Sequence, residues 1–116
     1  MKTTETGQLY ERRALDYLQS KGLKIIETNY HSSFGEIDLI MMHDKVLVFI
    51  EVRYRTRRDY GGAAYSVTPR KQRRIAQTAQ VFLKSRKASN MDCRFDVIAF
   101  AGPDINWIRS AFDSPI

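Results

Sequence analysis

Two carboxylates stand where a sheet-forming sequence is least expected to put them. The segment GEIDLIMMHDKVLVFIEVRYR, residues 35–55, reads as two apolar strands, yet Asp38 and Glu51 sit inside them. Acids are depleted from strands. A two-residue turn at Asp44-Lys45 fixes the register of such a hairpin, and counting back from it sets Asp38 opposite Glu51 and Glu36 opposite Arg53. Side chains alternate between the two faces. One face then carries Ile37, Leu39, Met41, Val46, Val48, Ile50 and Val52, all apolar. The other carries Ile40, Met42, Leu47 and Phe49 near the turn, and Glu36, Asp38, Glu51 and Arg53 at the open end.

Directly opposed side chains have Cβ atoms roughly 5 Å apart. At that separation two carboxylates repel by roughly 3 kcal/mol at an effective dielectric near 20. A divalent cation offsets such a repulsion, since Mg²⁺ is commonly held by one or two carboxylates together with waters and phosphate. Two plainer arrangements satisfy the same pattern: acids pointing to solvent at a frayed hairpin end, or a pair neutralised by Arg53 and Lys71. Glu11 adds a third acid, because it lies three, four and seven positions before Ala14, Leu15 and Leu18 on the inward face of a helix. Lys71 and Gln72 line up with Ile75, Ala76, Ala79 and Phe82, so both point toward the sheet from the first turn of a second helix.

The elements that position these groups are legible. Residues 4–21 read as a helix, with Thr4 or Thr6 to cap it and Gly22 to end it. Strands follow at 23–29, 36–42 and 46–54. A loop at 56–67 contains Gly61-Gly62. A second helix starts at Thr68-Pro69, a good cap followed by a residue suited to the first helical position, and runs to about Arg86. RFDVIAF at 94–100 is a strand, Gly102-Pro103 a turn, and INWIRSAF a short edge strand with a terminal turn. The order α-β-β-β-α-β-β gives a mixed α/β sheet with helices packed against it.

The 116 residues fit a single domain spanning 1–116. The net charge of +6, with a pI near 9.7, favours acidic partners, nucleic acid first and an anionic membrane surface second. One cysteine, Cys93, excludes an internal disulfide framework and suits the cytoplasm. With His31 and His43 it is too sparse for a zinc site. No apolar run approaches a membrane span, and MKTTETGQLYERR lacks the apolar core of a signal peptide.

As a set, the motifs resemble a known family. Asp38 followed by Glu51-Val52-Arg53 resembles the PD-(D/E)xK nuclease core. GQLYERRALDYL at 7–18, GEIDLI at 35–40, LVFIEVRYR at 47–55, GGAAYSVTPRKQRRI at 61–75 and RFDVIAF at 94–100 are similar to the YraN-like family. Its members are small bacterial predicted endonucleases related to archaeal Holliday junction resolvases. The resemblance implies a restriction-endonuclease-like fold and a Mg²⁺- or Mn²⁺-dependent deoxyribonuclease. Asp38 and Glu51 would be the metal ligands, and Glu11 a third acid acting through water. By analogy it implies a homodimer on branched DNA, because a resolvase needs two sites. Arg53 departs from the pattern, which has lysine there. Arginine stays charged and cannot serve as a base, so Lys71 is the candidate to supply the ammonium.

A DNA-facing surface is expected from Arg53, Arg55, Arg57 and Arg58 beside the pocket, and from Arg70, Lys71, Arg73 and Arg74 on the helix. Tyr54, Tyr60 and Tyr65 are available either to pack or to stack on unpaired bases. The alternative functions are a nucleic-acid-binding module that has lost turnover, and an interaction protein for an acidic partner.

Overall fold

The computed structural model describes residues 5–55 and 67–116. Its elements are α1 (Glu5–Ser20), β1 (Lys24–His31), β2 (Glu36–His43), β3 (Val46–Arg55), α2 (Pro69–Ser85), β4 (Cys93–Ala101) and β5 (Asp104–Phe112). The five strands form one sheet in sequence order. All neighbours are antiparallel except β3 and β4, which run parallel and are joined through α2. This is the mixed sheet flanked by helices that the sequence leads one to expect, and no helix among the described residues is long and apolar enough to cross a membrane.

Local chemistry sets the helix limits. α1 ends in a double backbone closure, Leu23 N–H to Leu18 O at 3.1 Å and Gly22 N–H to Gln19 O at 3.0 Å. Gly22 supplies the left-handed φ of 97° that this stop requires. α2 begins at Thr68, whose side-chain oxygen accepts the Lys71 N–H at 3.2 Å, with Pro69 at the first helical position.

Each helix buries its stripe on a different face of the sheet. Ala14 and Leu18 of α1 pack with Leu39, Met41, Val48, Ile50, Ile98 and Phe100. Ile75, Ala76, Ala79 and Phe82 of α2 pack with Ile40, Leu47, Phe49, Phe95, Val97 and Ala99. A sheet covered on both faces accounts for strands that are apolar on both faces.

Two expectations need correction. Ile37 belongs to the α2 cluster, not to the face of Leu39 and Met41. Strict alternation fails across Asp38, where β2 leaves β3 and where Asn29, abreast of it on β1, takes a left-handed φ of 51°. The C-terminal segment is also a full nine-residue edge strand rather than a short strand and a turn.

That edge strand is tied on by a buried acid. Residues 109–111 of β5 bulge opposite the single residue Asp96 of β4. The Asp96 carboxylate fills the bulge, accepting from Ser110 N–H at 2.9 Å, Trp107 Nε1 at 2.9 Å and Arg94 Nε at 2.9 Å. Arg94 reaches on to His43 Nδ1 at 2.9 Å. Removing one partner of a buried ion pair typically costs about 3–5 kcal/mol. Asp96→Ala should therefore lower stability by about 3 kcal/mol or more in urea unfolding; a loss below about 1 kcal/mol would show the network to be dispensable.

Candidate functional site

The site is built on a fork in the sheet. Backbone pairing of β2 with β3 runs from His43–Val46 to Leu39–Ile50, in the register set by the two-residue turn, and stops there. The next β3 donor, Val52 N–H, is taken by the Asp38 carboxylate through Oδ2 at 2.8 Å. A side chain thus replaces the backbone acceptor and fixes Asp38 beside Glu51. Glu36 does not continue the ladder to Arg53. It pairs with His31 on β1, its Oε1 lying 3.4 Å from His31 Nδ1.

Glu51 is 7% exposed, deep for an acid. Lys71, from the first turn of α2, brings Nζ to 2.7 Å from its Oε2. Lys71 thus partly neutralises the carboxylate pair, as one of the arrangements open to the sequence has it. Gln72 turns instead to the Val67 carbonyl, at 2.8 Å. Glu11 arrives from α1 on the opposite side of the sheet. It lines a small cavity of about 230 Å³ with Gln8, Arg12, Leu15, Thr28, Asn29 and Leu39. Arg53 lies half-buried two residues beyond Glu51, in register with Ala99 of β4.

The electrostatics follow from this crowding. Burial first, and the Glu51 charge second, push the Asp38 carboxyl well above its ordinary value of 3.8. The Val52 N–H works against the shift, Glu11 adds to it and Lys71 opposes it. The influence of both Glu11 and Lys71 on Asp38 puts the two helices' contributions at one end of the sheet. Among the described residues, Glu51 and Glu11 raise the Asp38 carboxyl and the Lys71 ammonium lowers it. Among the described residues no three His, Cys, Asp or Glu side chains close around one point to hold a metal ion. Two carboxylates with water and phosphate completing the shell is nonetheless an ordinary Mg²⁺ donor set, so Asp38 and Glu51 fit such an ion, with Glu11 standing further out.

Arg55, Arg70, Arg73 and Arg74 are exposed, as a solvent- or ligand-facing surface requires. Tyr54 gives one ring face to Tyr10, stacked at 4.4 Å between centroids, so packing claims it. Arg57, Arg58, Tyr60 and Tyr65 lie outside the described residues.

Two features escaped the sequence reading. One is the Asp96 network, although an acid inside RFDVIAF is the same oddity as Asp38 and could have been read the same way. The other is a groove of about 980 Å³ between the β1–β2 turn and the start of α2, lined by His31, Ser32, Phe34, Arg70, Lys71 and Arg74 among others. Its signal was weak, because nothing in HSSFG says that the turn will seat against a helix forty residues downstream.

The class is therefore a restriction-endonuclease-like α/β domain with a carboxylate pair at the sheet fork. The chain belongs to the uncharacterised protein family UPF0102, whose model matches residues 10–100. It is 49% identical over 110 residues to a UPF0102 protein of Enterobacter sp. (strain 638), covering 93% of this chain and 84% of that protein. It is 49% identical over 112 residues to one of Alkalilimnicola ehrlichii, covering 96% and 89%. It is 47% identical over 115 residues to the UPF0102 protein YraN of Escherichia coli O1:K1, covering 97% and 88%. The family is the YraN-like one that the motifs resemble.

A raised carboxyl pKa has a stability signature. Below the ordinary carboxylate range Asp38 is protonated in folded and unfolded chains alike. As pH rises, the unfolded chain ionises first and stability falls until the folded value is passed. Asp38→Asn keeps an oxygen for Val52 N–H and removes the charge. In metal-free buffer it should melt higher than the parent at about pH 8, with the difference closing toward about pH 4. A gap that widens on acidification would contradict this.

Proposed function

We propose that this protein is a metal-dependent endonuclease hydrolysing phosphodiester bonds in DNA, with branched or junction DNA its expected substrate. The observation that carries the reading is the convergence at the fork: two strand carboxylates, an acid from α1 and an ammonium from α2. Asp38 and Glu51 would hold Mg²⁺ or Mn²⁺, which supplies charge neutralisation at the phosphoryl group and acidifies water. The chain's own residues do the rest. Val52 N–H holds the Asp38 carboxylate in place. Lys71, beside Glu51, donates to a phosphate oxygen. Arg53 adds a fixed positive charge on the same side of the strand. Glu11 receives the proton of the attacking water through an intervening water. The water oxygen bonds to phosphorus as the bond to the leaving sugar oxygen breaks, and that oxygen takes up a proton from solvent water.

The second reading, a binding module on a nuclease scaffold, is favoured by one residue: Arg53 in place of lysine. A junction substrate further calls for two copies of the chain, and the free thiol of Cys93 suits a cytoplasmic setting.

Incubation with junction, flap and duplex DNA in Mg²⁺ or Mn²⁺ should give cleavage. Asp38→Asn and Glu51→Gln should each slow it about a thousandfold, because losing several kcal/mol of charge stabilisation costs about tenfold per 1.4 kcal/mol. Binding of the same DNA in EDTA should survive both changes. Binding with no cleavage in any metal supports the second reading, and Arg53→Lys then asks whether turnover can be restored. Affinity should fall steeply with salt as phosphate contacts release counterions; salt-independent binding would defeat both readings.

A further inference from the structure

The groove beside the carboxylates combines charge with an aromatic ring that has no internal use. Phe34 is 45% exposed at the tip of the β1–β2 turn. Among the described residues it has no ring or cation–π partner, whereas Tyr10, Tyr30, Phe49, Tyr54, Phe82, Phe95, Phe100, Trp107 and Phe112 all make ring contacts. The turn that presents it is fixed. Ser32 N–H donates to Gly35 O at 2.8 Å, and Phe34 N–H to Ser32 Oγ at 3.0 Å. Ser32 Oγ also bonds the buried Thr78 Oγ1 of α2 at 2.8 Å. Gly35 lies so close to the helix that a Cβ there would stand 3.5 Å from Arg74 Cβ. Phe34 belongs to neither core cluster, and the hydrogen-bonded turn leaves 45% of it open to water.

The cations around it are equally unspent. Arg70 and Arg74 stand one helical turn apart, a like-charged spacing that destabilises a helix. They lie near its positive end, with no acid in the first turn to offset them. Neither has a carboxylate partner among the described residues. The one acid lining the groove, Glu36, lies with Oε1 3.4 Å from His31 Nδ1, and among the described residues that buried oxygen accepts no hydrogen bond. Lys71 belongs to the groove and to the carboxylate site at once, since it lines the first and its Nζ lies 2.7 Å from Glu51 Oε2.

We infer that this groove binds an unpaired nucleotide of a DNA strand, stacking its base on Phe34 and holding the flanking phosphates with Arg70 and Arg74. Lys71 then leads the same backbone toward Asp38 and Glu51. This rests on the nucleic-acid reading above and narrows its substrate to DNA in which single-stranded nucleotides adjoin the attacked phosphate. A π-face accepts any base, and phosphates answer the cations, so the groove recognises lack of pairing rather than sequence.

The test compares fluorescence-anisotropy affinities, in EDTA, for a blunt duplex and for the same duplex with a three-nucleotide overhang carrying 2-aminopurine. The parent chain should favour the overhang about tenfold, the size of a single base–aromatic stack, and should quench the 2-aminopurine. Phe34→Ala should bring the affinity ratio close to one and abolish the quench, while Phe34→Trp restores both. Arg70→Gln with Arg74→Gln should weaken binding to either DNA and reduce the salt slope by about two. An unchanged ratio in Phe34→Ala, or no overhang preference in the parent, overturns the inference. The nuclease reading is scored separately by cleavage in Mg²⁺: cutting without overhang preference sinks only the groove, and preference without cutting sinks only the nuclease.

Discussion

The hydrogen bond from Val52 N–H to Asp38 is the contact on which the rest of the site depends. A backbone donor at the end of a ladder must find an acceptor or lose the free energy of a buried hydrogen bond. Here the acceptor is a carboxylate, and the strands part where it takes over. The fork so created gives Asp38 and Glu51 a common opening that two regularly paired strands would close. Asp96 repeats the device between β4 and the edge strand β5, its carboxylate serving Ser110 N–H inside a bulge. The two acids differ in what surrounds them. Asp96 has a guanidinium and an indole N–H. Asp38 has two further carboxylates and a shared ammonium, and burial and the Glu51 charge push its carboxyl above the ordinary value.

Because the sheet is covered on both faces, no single helix can reach the fork with both a base and an acid. α1 and α2 divide the task. The Leu39–Met41 cluster anchors α1 so that Glu11 comes in from one side. The Ile40–Phe49 cluster anchors α2 so that Lys71 comes in from the other. The apolar alternation that builds the two cores therefore also sets where the polar groups meet. This is why the charged residues sit at the first turn of α2 and halfway along α1, not at random points on their exposed faces.

That dependence explains what could be read from the sequence. The hairpin register followed from a two-residue turn, and both helix stripes from their periodicity, so Asp38, Glu51, Glu11 and Lys71 could be brought together on paper. What failed was anything requiring the chain to depart from regularity. The break in alternation at Ile37 arises where ladder bonding gives way to a side-chain bond, and the bulge against Asp96 arises from a left-handed Ser110, φ 52°. The acids at Asp38 and Asp96 mark these places in the sequence, but not the backbone departures beside them. Glu36 looked like part of the polar end because the ladder was extended to Glu36–Arg53, past the Leu39–Ile50 pair where it stops. The Phe34 groove was invisible because it depends on Ser32 meeting Thr78, a contact between segments far apart in the chain.

The position of Lys71 bears on what Arg53 can and cannot replace. A lysine on β3 would be fixed by the sheet and held at the carboxylates permanently. Lys71 sits on a helix, its side chain half exposed, and neutralises Glu51 only while nothing else claims its ammonium. On the nuclease reading, a phosphate entering along the groove competes for that ammonium. Every share of Lys71 that it takes leaves Glu51 less compensated beside an already crowded Asp38. Asp38 and Glu51, so uncovered, would then hold a divalent cation more strongly with the DNA backbone present than without it. On that reading, arginine in place of lysine on the strand leaves a permanent cation in Arg53 and puts the ammonium on the helix, where a phosphate of the substrate would compete with Glu51 for it.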